Sequence, residues 1–160
     1  MALLKGLMEP IVGEIVNYVN APHLVRERGI NVVEIKSQSA EGFSNLIRLT
    51  VDTGEEQRCV AGAVFAHGDY RLVQVGEYPL EAVPEGHSLV LHNTDRPGVI
   101  AFIGQVLAEA EINIAMMNLS RRKIEGQAVS LITIDTPAPP EVLEKLLTNA
   151  NITSAVQVAL

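Results

Sequence analysis

Tryptophan is missing from this 160-residue chain, and aromatic residues of all kinds make up only 4% of it. A core built without large rings must come from Val, Ile, Leu and Ala, and a 48% hydrophobic content suffices for one good core or two small ones. A single cysteine, Cys59, excludes an internal disulfide framework and fits a reducing compartment. Basic residues number 12 against 19 acidic ones, a formal charge of −7. Such a chain repels phosphodiester backbones, so no nucleic-acid partner is expected. No apolar run reaches membrane-spanning length, and the N-terminus lacks the basic-then-apolar layout of a signal peptide. No membrane partner is expected, and a cytoplasmic location is the default. No G-x-G-x-x-G occurs, so the dinucleotide fingerprint is absent. The histidines His23, His67, His87 and His92 have no paired or i, i+4 spacing, and no metal site is expected.

What is present has a clear order. Over 4–19, Leu4, Leu7, Met8, Ile11, Val12, Ile15, Val16 and Val19 follow the spacing of an amphipathic helix. Pro10 and Gly13 weaken it, and Pro10 is expected to kink it or to mark its true start. A second helical piece over 22–28 stops at Gly29. The period then changes to that of strands over 31–37, 45–51, 57–66 and 70–75, with a polar turn at 37–42 and further turns at Asp52-Thr53-Gly54 and His67-Gly68-Asp69. Residues 77–86 carry two prolines and no clear period and read as connecting chain. The expected division is a first domain at 1–80, a linker at 81–86 and a second domain at 87–160. In the second, strands are expected at 87–93, 112–121, 127–135 and 152–159, with helices at 97–110 and 141–148. The fold class is α+β: a mixed α/β first domain followed by the β-α-β-β-α-β order of a ferredoxin-like sandwich, with two helices covering one face of a four-stranded antiparallel sheet. The first strand of that sheet, ending at Asn93, is expected to leave an unpaired edge.

The chemistry concentrates between Leu91 and Asn118. Asp95 or Arg96 falls where a helix cap is expected, Pro97 in the first turn and Gly98 at the helix mouth. Free N–H groups and the positive end of the helix dipole make such a mouth a carboxylate receptor. Asp95 beside it can hold an ammonium group, and the two together describe an α-amino-acid pocket. The plain alternative is that Asp95 only caps the helix and that Pro97-Gly98 is turn grammar. Asn113 likewise reads either as a ligand group or as a strand-entry residue. Arg121-Arg122-Lys123 reads mainly as a solvated turn, with an anion or partner contact as the alternative. Cys59, within a strand, reads as a bland thiol. Lys36, Arg48, Arg58 and Arg71 lie on neighbouring first-domain strands and form a candidate anion site if they share a face.

The run N-x-D-R-P-G-V-I, a helix, I-N-I-A-M-M and then R-x-x-x-x-G-Q-A-V-S-L-I-T-I-D resembles an ACT domain, and more narrowly the C-terminal regulatory domain of the D-3-phosphoglycerate dehydrogenase family. V-N-A-P-H-L-V-R-E-R-G-I-N-V at 19–32 and S-A-E-G-F-S-N-L-I at 39–47 resemble the allosteric-substrate-binding domain that precedes the ACT domain in the long form of that enzyme. The resemblance implies a regulatory module that binds L-serine between two ACT domains paired edge to edge, in serine biosynthesis. It implies homo-oligomers, the NAD-dependent catalytic domains of a parent enzyme as partners, and no cofactor on these residues themselves. Carried over residue by residue, one domain contributes Asn93, Asp95 and the backbone of Pro97, Gly98, Val99 and Ile100, and the facing copy contributes Asn113. Some relatives carry His or Tyr at the place of Asn93, and Asn at the place of Asp95. The domain's name implies a phosphorylated ligand for the first-domain cations. No catalytic residue is expected, because the dinucleotide fingerprint and a catalytic His with its acidic partner are both missing. The opening Met1-Ala2, ahead of a helix already under way, suits a piece of a longer protein. Two other readings remain: a β subunit of an iron–sulfur L-serine dehydratase, whose Ser-Ser-His-Thr segment is not found here, and a stand-alone amino-acid sensor.

Overall fold

The computed structural model describes residues 1–37 and 42–159. The chain divides into two compact units, Met1–Ala40 and Glu41–Leu160.

The first unit holds helices α1 (Ala2–Val12) and α2 (Ala21–Glu27). α1 is shorter than its apolar period promised. Gly13, at φ 89°, leaves helical space and returns its N–H to the Glu9 carbonyl at 2.8 Å. Pro10 therefore lies near the end of the helix, not at its start, where only one turn remains to be disturbed. Met8, Val16, Ala21 and Val25 are buried together, with Leu4, Val12 and Leu24 packed against them. α2 stops at Gly29 as expected. Gly29 (φ 69°) donates to the Arg26 carbonyl and Ile30 to the Val25 carbonyl, the paired bonds of a Schellman cap. Residues 31–37, expected as a strand, have no regular structure, and Val32, Val33 and Ile35 are exposed. An alternating apolar pattern makes a strand only when a ladder partner is available, and the described residues supply none here. Of the polar turn expected at 37–42 and the motif at 39–47, residues 38–41 lie outside the described residues.

The second unit contains two sheets. In the first, β1 (Ile47–Asp52), β2 (Gln57–Val64), β3 (Tyr70–Val75) and β4 (Tyr78–Ala82) pair antiparallel in chain order. Its core is slight: Ala61, Ala63 and Val73, with Phe43 and Leu46 against them. β4 falls in the stretch read as connecting chain and takes Glu81 and Ala82 from the expected linker. Its burial alternates cleanly from Tyr78 to Ala82. Pro79, which argued against a strand, is tolerated because β4 is an edge with no ladder to feed on its far side.

The second sheet has β5 (His87–Thr94), β6 (Ile114–Arg121), β7 (Gln127–Ile134) and β8 (Ile152–Ala159), all antiparallel in the order β6-β7-β5-β8. Helices α3 (Val99–Glu109) and α4 (Pro140–Leu147) complete the β-α-β-β-α-β order. Leu89 and Leu91 of β5 and Ile132 and Ile134 of β7 are buried with Val99, Ile103, Val106 and Leu107 of α3 and Val142 and Leu146 of α4. The α3 residues recur at i, i+4, i+7 and i+8, one face of a helix, and each such side chain contributes roughly 1.5–3 kcal/mol when fully buried. β5 lies between β7 and β8, so it is not an edge, contrary to expectation. The edges are β6 and β8. The face of β7 turned from the helices is also buried, at Val129 and Leu131, and Tyr78 of β4 meets the His92 ring edge-on at 6.5 Å. Two sheets thus share a boundary within the second unit.

Candidate functional site

The loop from Asp95 to Gly98 joins β5 to α3, and Asn93 lies one residue before the end of β5. Asn93 is 1% exposed and is held from both ends of its amide. Its Oδ1 accepts the Ser130 hydroxyl at 3.1 Å, and its Nδ2 donates to the Thr94 carbonyl at 3.2 Å. The amide so held clamps β5 to β7, and a ligand that reaches Asn93 must compete with these bonds.

Asp95 follows. Its N–H donates to the Gly126 carbonyl at 2.8 Å, and its carboxylate, whose side chain is 20% exposed, is ion-paired with the Arg121 guanidinium. Arg96 pairs with Glu125 at 3.3 Å, and Gln127 Nε2 donates to Thr94 Oγ1 at 3.3 Å. The loop is therefore laced to the turn between β6 and β7. Neither Asp95 nor Arg96 caps the helix. The cap position belongs to Gly98, at φ 92°, with no side-chain cap, and Pro97 precedes it instead of lying in the first turn. A Cβ on Gly98 would meet nothing within 4 Å, so the left-handed backbone, not crowding, is what calls for glycine there. Val99 is buried in the core and offers only backbone, and its N–H already reaches the Arg96 carbonyl at 3.3 Å. The Ile100 side chain is exposed.

Asn113 stands just before β6 and is exposed. Its Nδ2 donates to Asp135 Oδ2 at 2.8 Å, and the Asp135 N–H returns to the Asn113 carbonyl at 3.2 Å. Along β7, the loop that carries Asp95 lies at the Gln127–Ala128 end and Asn113 at the Ile134 end. At about 3.3 Å per residue those ends are roughly 20 Å apart. Asp95 and Asn113 of one copy cannot touch one small ligand, whereas Asn113 of a second copy is free of that limit.

The three arginines of the first sheet do not all share one face. In the strand register Arg48 stands opposite Ala61 and Arg71 opposite Ala63, on one face, while Arg58 stands opposite Val51 on the other. Arg48 donates to Gln74 Oε1 at 3.2 Å, across the small Ala61. Arg58 pairs with Glu56 at 3.0 Å, Arg71 with Asp69 at 3.3 Å, and Lys36 with Glu34 at 3.4 Å. Each of these last three cations is answered by an acid two residues away in sequence, and the shared face required for the candidate anion site is not met by Arg58.

Among the described residues no group of His, Cys, Asp and Glu could hold a metal ion, and no helix is long and apolar enough to cross a membrane. The His92 imidazole is held below its ordinary value, first by burial and then by the nearby Arg58 charge. A cleft of about 360 Å³ lies between β4 and the β6–β7 turn, lined by Glu77, Tyr78, Arg122, Lys123 and Gln127. An ion pair between Arg122 and Glu77 joins its two sides. The part played by Arg121 and Arg122 was not legible as such: Arg121 is 26 positions from its partner Asp95, and Arg122 is 45 positions from Glu77.

A βαββαβ sheet with both helices on one face is a ferredoxin-like domain, the architecture expected of an ACT domain. Comparison with known proteins agrees: residues 87–151 match the family model of the ACT domain, and residues 1–76 match that of the D-3-phosphoglycerate dehydrogenase intervening domain. The chain carries the intervening and ACT domain pair of the D-3-phosphoglycerate dehydrogenase family. It is 33% identical to the D-3-phosphoglycerate dehydrogenase of Synechocystis sp. over 100% of its own length and 29% of the relative's. It is 36% identical to that of Archaeoglobus fulgidus over 99% of the chain and 30% of the relative, and 31% identical to that of Bacillus subtilis over 96% and 29%. The chain thus spans under a third of the length of the curated relatives it matches.

Proposed function

We propose that this chain is the effector-sensing part of a D-3-phosphoglycerate dehydrogenase and that it binds L-serine for feedback inhibition of serine biosynthesis. The catalytic domains of such an enzyme would carry NAD and the oxidoreductase chemistry, and the residues here would carry regulation. We divide it functionally at 1–80, 81–86 and 87–160, with the end of β4 at Ala82 pulling the first boundary slightly later. Serine lies between two ACT domains. Its ammonium meets Asp95, its carboxylate meets the backbone near Gly98 to Ile100, and Asn113 of the second copy closes the site. The observation that carries this reading is the separation of Asp95 and Asn113 at opposite ends of β7, which makes the site whole only when two copies meet. The edge strand β6, which follows Asn113, supports pairing through that side of the sheet. A hydrogen bond to a charged group is worth about 1.5–3 kcal/mol, enough for small zwitterions to be told from neutral analogues.

Calorimetry of the purified chain against a panel of amino acids tests the ligand, and sedimentation with and without serine tests the assembly. The reading predicts saturable heat with L-serine above all other members of the panel and a dimer or larger species at tens of micromolar protein (a concentration chosen for a micromolar-scale association, roughly −8 kcal/mol). A monomer in both conditions, or heat with an unrelated amino acid only, contradicts it.

A further inference from the structure

The turn between β6 and β7 reaches in two directions. Toward the effector loop it sends Arg121 to the Asp95 carboxylate, the Gly126 carbonyl to the Asp95 N–H and Glu125 to Arg96. Toward the first sheet it sends Arg122, the very next residue, to Glu77 at the β3–β4 hairpin. The turn itself is tight. A Cβ on Gly126 would come within 2.7 Å of the Lys123 side chain and 3.1 Å of the Lys123 carbonyl, so only glycine fits this close approach, and the Gly126 N–H donating to the Lys123 carbonyl at 3.2 Å ties the two ends of the turn together. The hairpin at the far end is also anchored by backbone, with the Gly76 N–H on the Cys59 carbonyl at 2.7 Å.

Two adjacent guanidinium groups, one on the acid assigned to the ligand and one on the neighbouring sheet, form a chain of contacts with a defined competitor. A ligand ammonium and the Arg121 guanidinium seek the same carboxylate. We propose that the β6–β7 turn is a relay: a ligand ammonium displaces Arg121 from Asp95, and the shift in the turn loosens Arg122 from Glu77 and so frees the β3–β4 hairpin. The ligand half of this inference rests on the serine reading above, while the link from Asp95 to the hairpin stands on the contacts alone. Coupling of this kind is reciprocal, so weakening the hairpin tether must raise ligand affinity by the same factor by which ligand loosens the tether. Ion pairs as exposed as these contribute about 0.2–1 kcal/mol, which corresponds to effects of about 1.4-fold to fivefold.

The test uses the whole chain. Amide hydrogen exchange is followed at residues 76–82 in the wild type and in Asp95→Ala, Glu77→Gln and Arg122→Met, with β5 and β8 amides as the internal standard for global stability. Serine affinity is measured in the wild type, Arg121→Met and Glu77→Gln. The relay predicts faster exchange at 76–82 in Asp95→Ala without any ligand, the same acceleration in Arg122→Met, and no further gain when the two are combined. It predicts serine binding tightened about twofold to fivefold in Arg121→Met and up to about twofold in Glu77→Gln. Unchanged exchange at 76–82 in Asp95→Ala, with the hairpin still responding to Arg122→Met, overturns it. If the hairpin responds to Asp95→Ala while serine gives no heat in the wild type, the relay stands and the serine reading falls.

Discussion

The two sheets of the second unit were built from the same aliphatic alphabet and hold together very differently. The β5–β8 sheet sets two helices on one face, so Leu, Ile and Val from both layers meet in one continuous core. The β1–β4 sheet has a small cluster of Ala61, Ala63 and Val73, with Tyr78 and Ala82 of β4 buried besides, and Ile47, Val60 and Val64 remain exposed. In the β5–β8 sheet the helix layer is what turns alternating strand residues into a core. The site follows the better-packed region. Its loop is suspended between β5 and α3, and Ile103 and Leu107 fix the helix whose mouth the ligand is proposed to meet.

The sharpest way to break that contrast is truncation. Leu89→Ala, at a fully buried position under α3, should destabilise by about 2–5 kcal/mol in urea unfolding, while Val60→Ala on the exposed face of the first sheet should stay within about 0.5 kcal/mol. Comparable losses at the two positions would mean that the first sheet has a covered core after all. Next in size is the clamp between strands. Asn93→Ala leaves the Ser130 hydroxyl without its acceptor and should cost about 1–3 kcal/mol of stability, with much less lost in Asn93→Ala/Ser130→Ala than the sum of the two single changes. Additivity in that cycle would remove the clamp.

The smallest expected effect lies at the boundary of the two sheets. Because burial and Arg58 hold His92 below 6.5, the folded chain binds fewer protons than the unfolded one as pH falls through that value. Stability should therefore decline as pH drops below 6.5, level off once folded His92 is also protonated, and show no His92 contribution at higher pH. His92→Gln should flatten this segment of the pH profile, and Arg58→Gln should reduce its slope. An unchanged slope in His92→Gln assigns the pH dependence elsewhere.

The sequence made the β5–β8 region legible almost strand by strand, because strong period-2 and period-3.6 signals there coincide with the burial that produces them. Ile152–Ala159 stands where the alternation placed it, as does Tyr70–Val75 in the other sheet. The misses share a cause: each depended on a neighbour that spacing does not reveal. β4 was hidden by Pro79, which only an edge position excuses. Residues 31–37 carried a strand pattern without a strand partner. In the candidate site, Asp95 and the Gly98 helix mouth were legible from residue types alone. The pairing of Asp95 with Arg121 and the burial of Asn93 arise from the β5–β7–β6 register and were not. That register holds Asn93 against Ser130 and sets Arg121 on Asp95, the carboxylate that a ligand ammonium would seek.

The most direct test is serine titration of Asp95→Ala beside Glu144→Ala, a change at an exposed position on α4, with both variants confirmed folded by the same urea midpoint as the parent. Loss of a charged hydrogen bond worth about 1.5–3 kcal/mol predicts serine binding weakened by about one to two decades in Asp95→Ala and unchanged in Glu144→Ala. Equal affinity in the two variants would mean that Asp95 only anchors Arg121 and that the ACT domain of this chain takes its effector elsewhere.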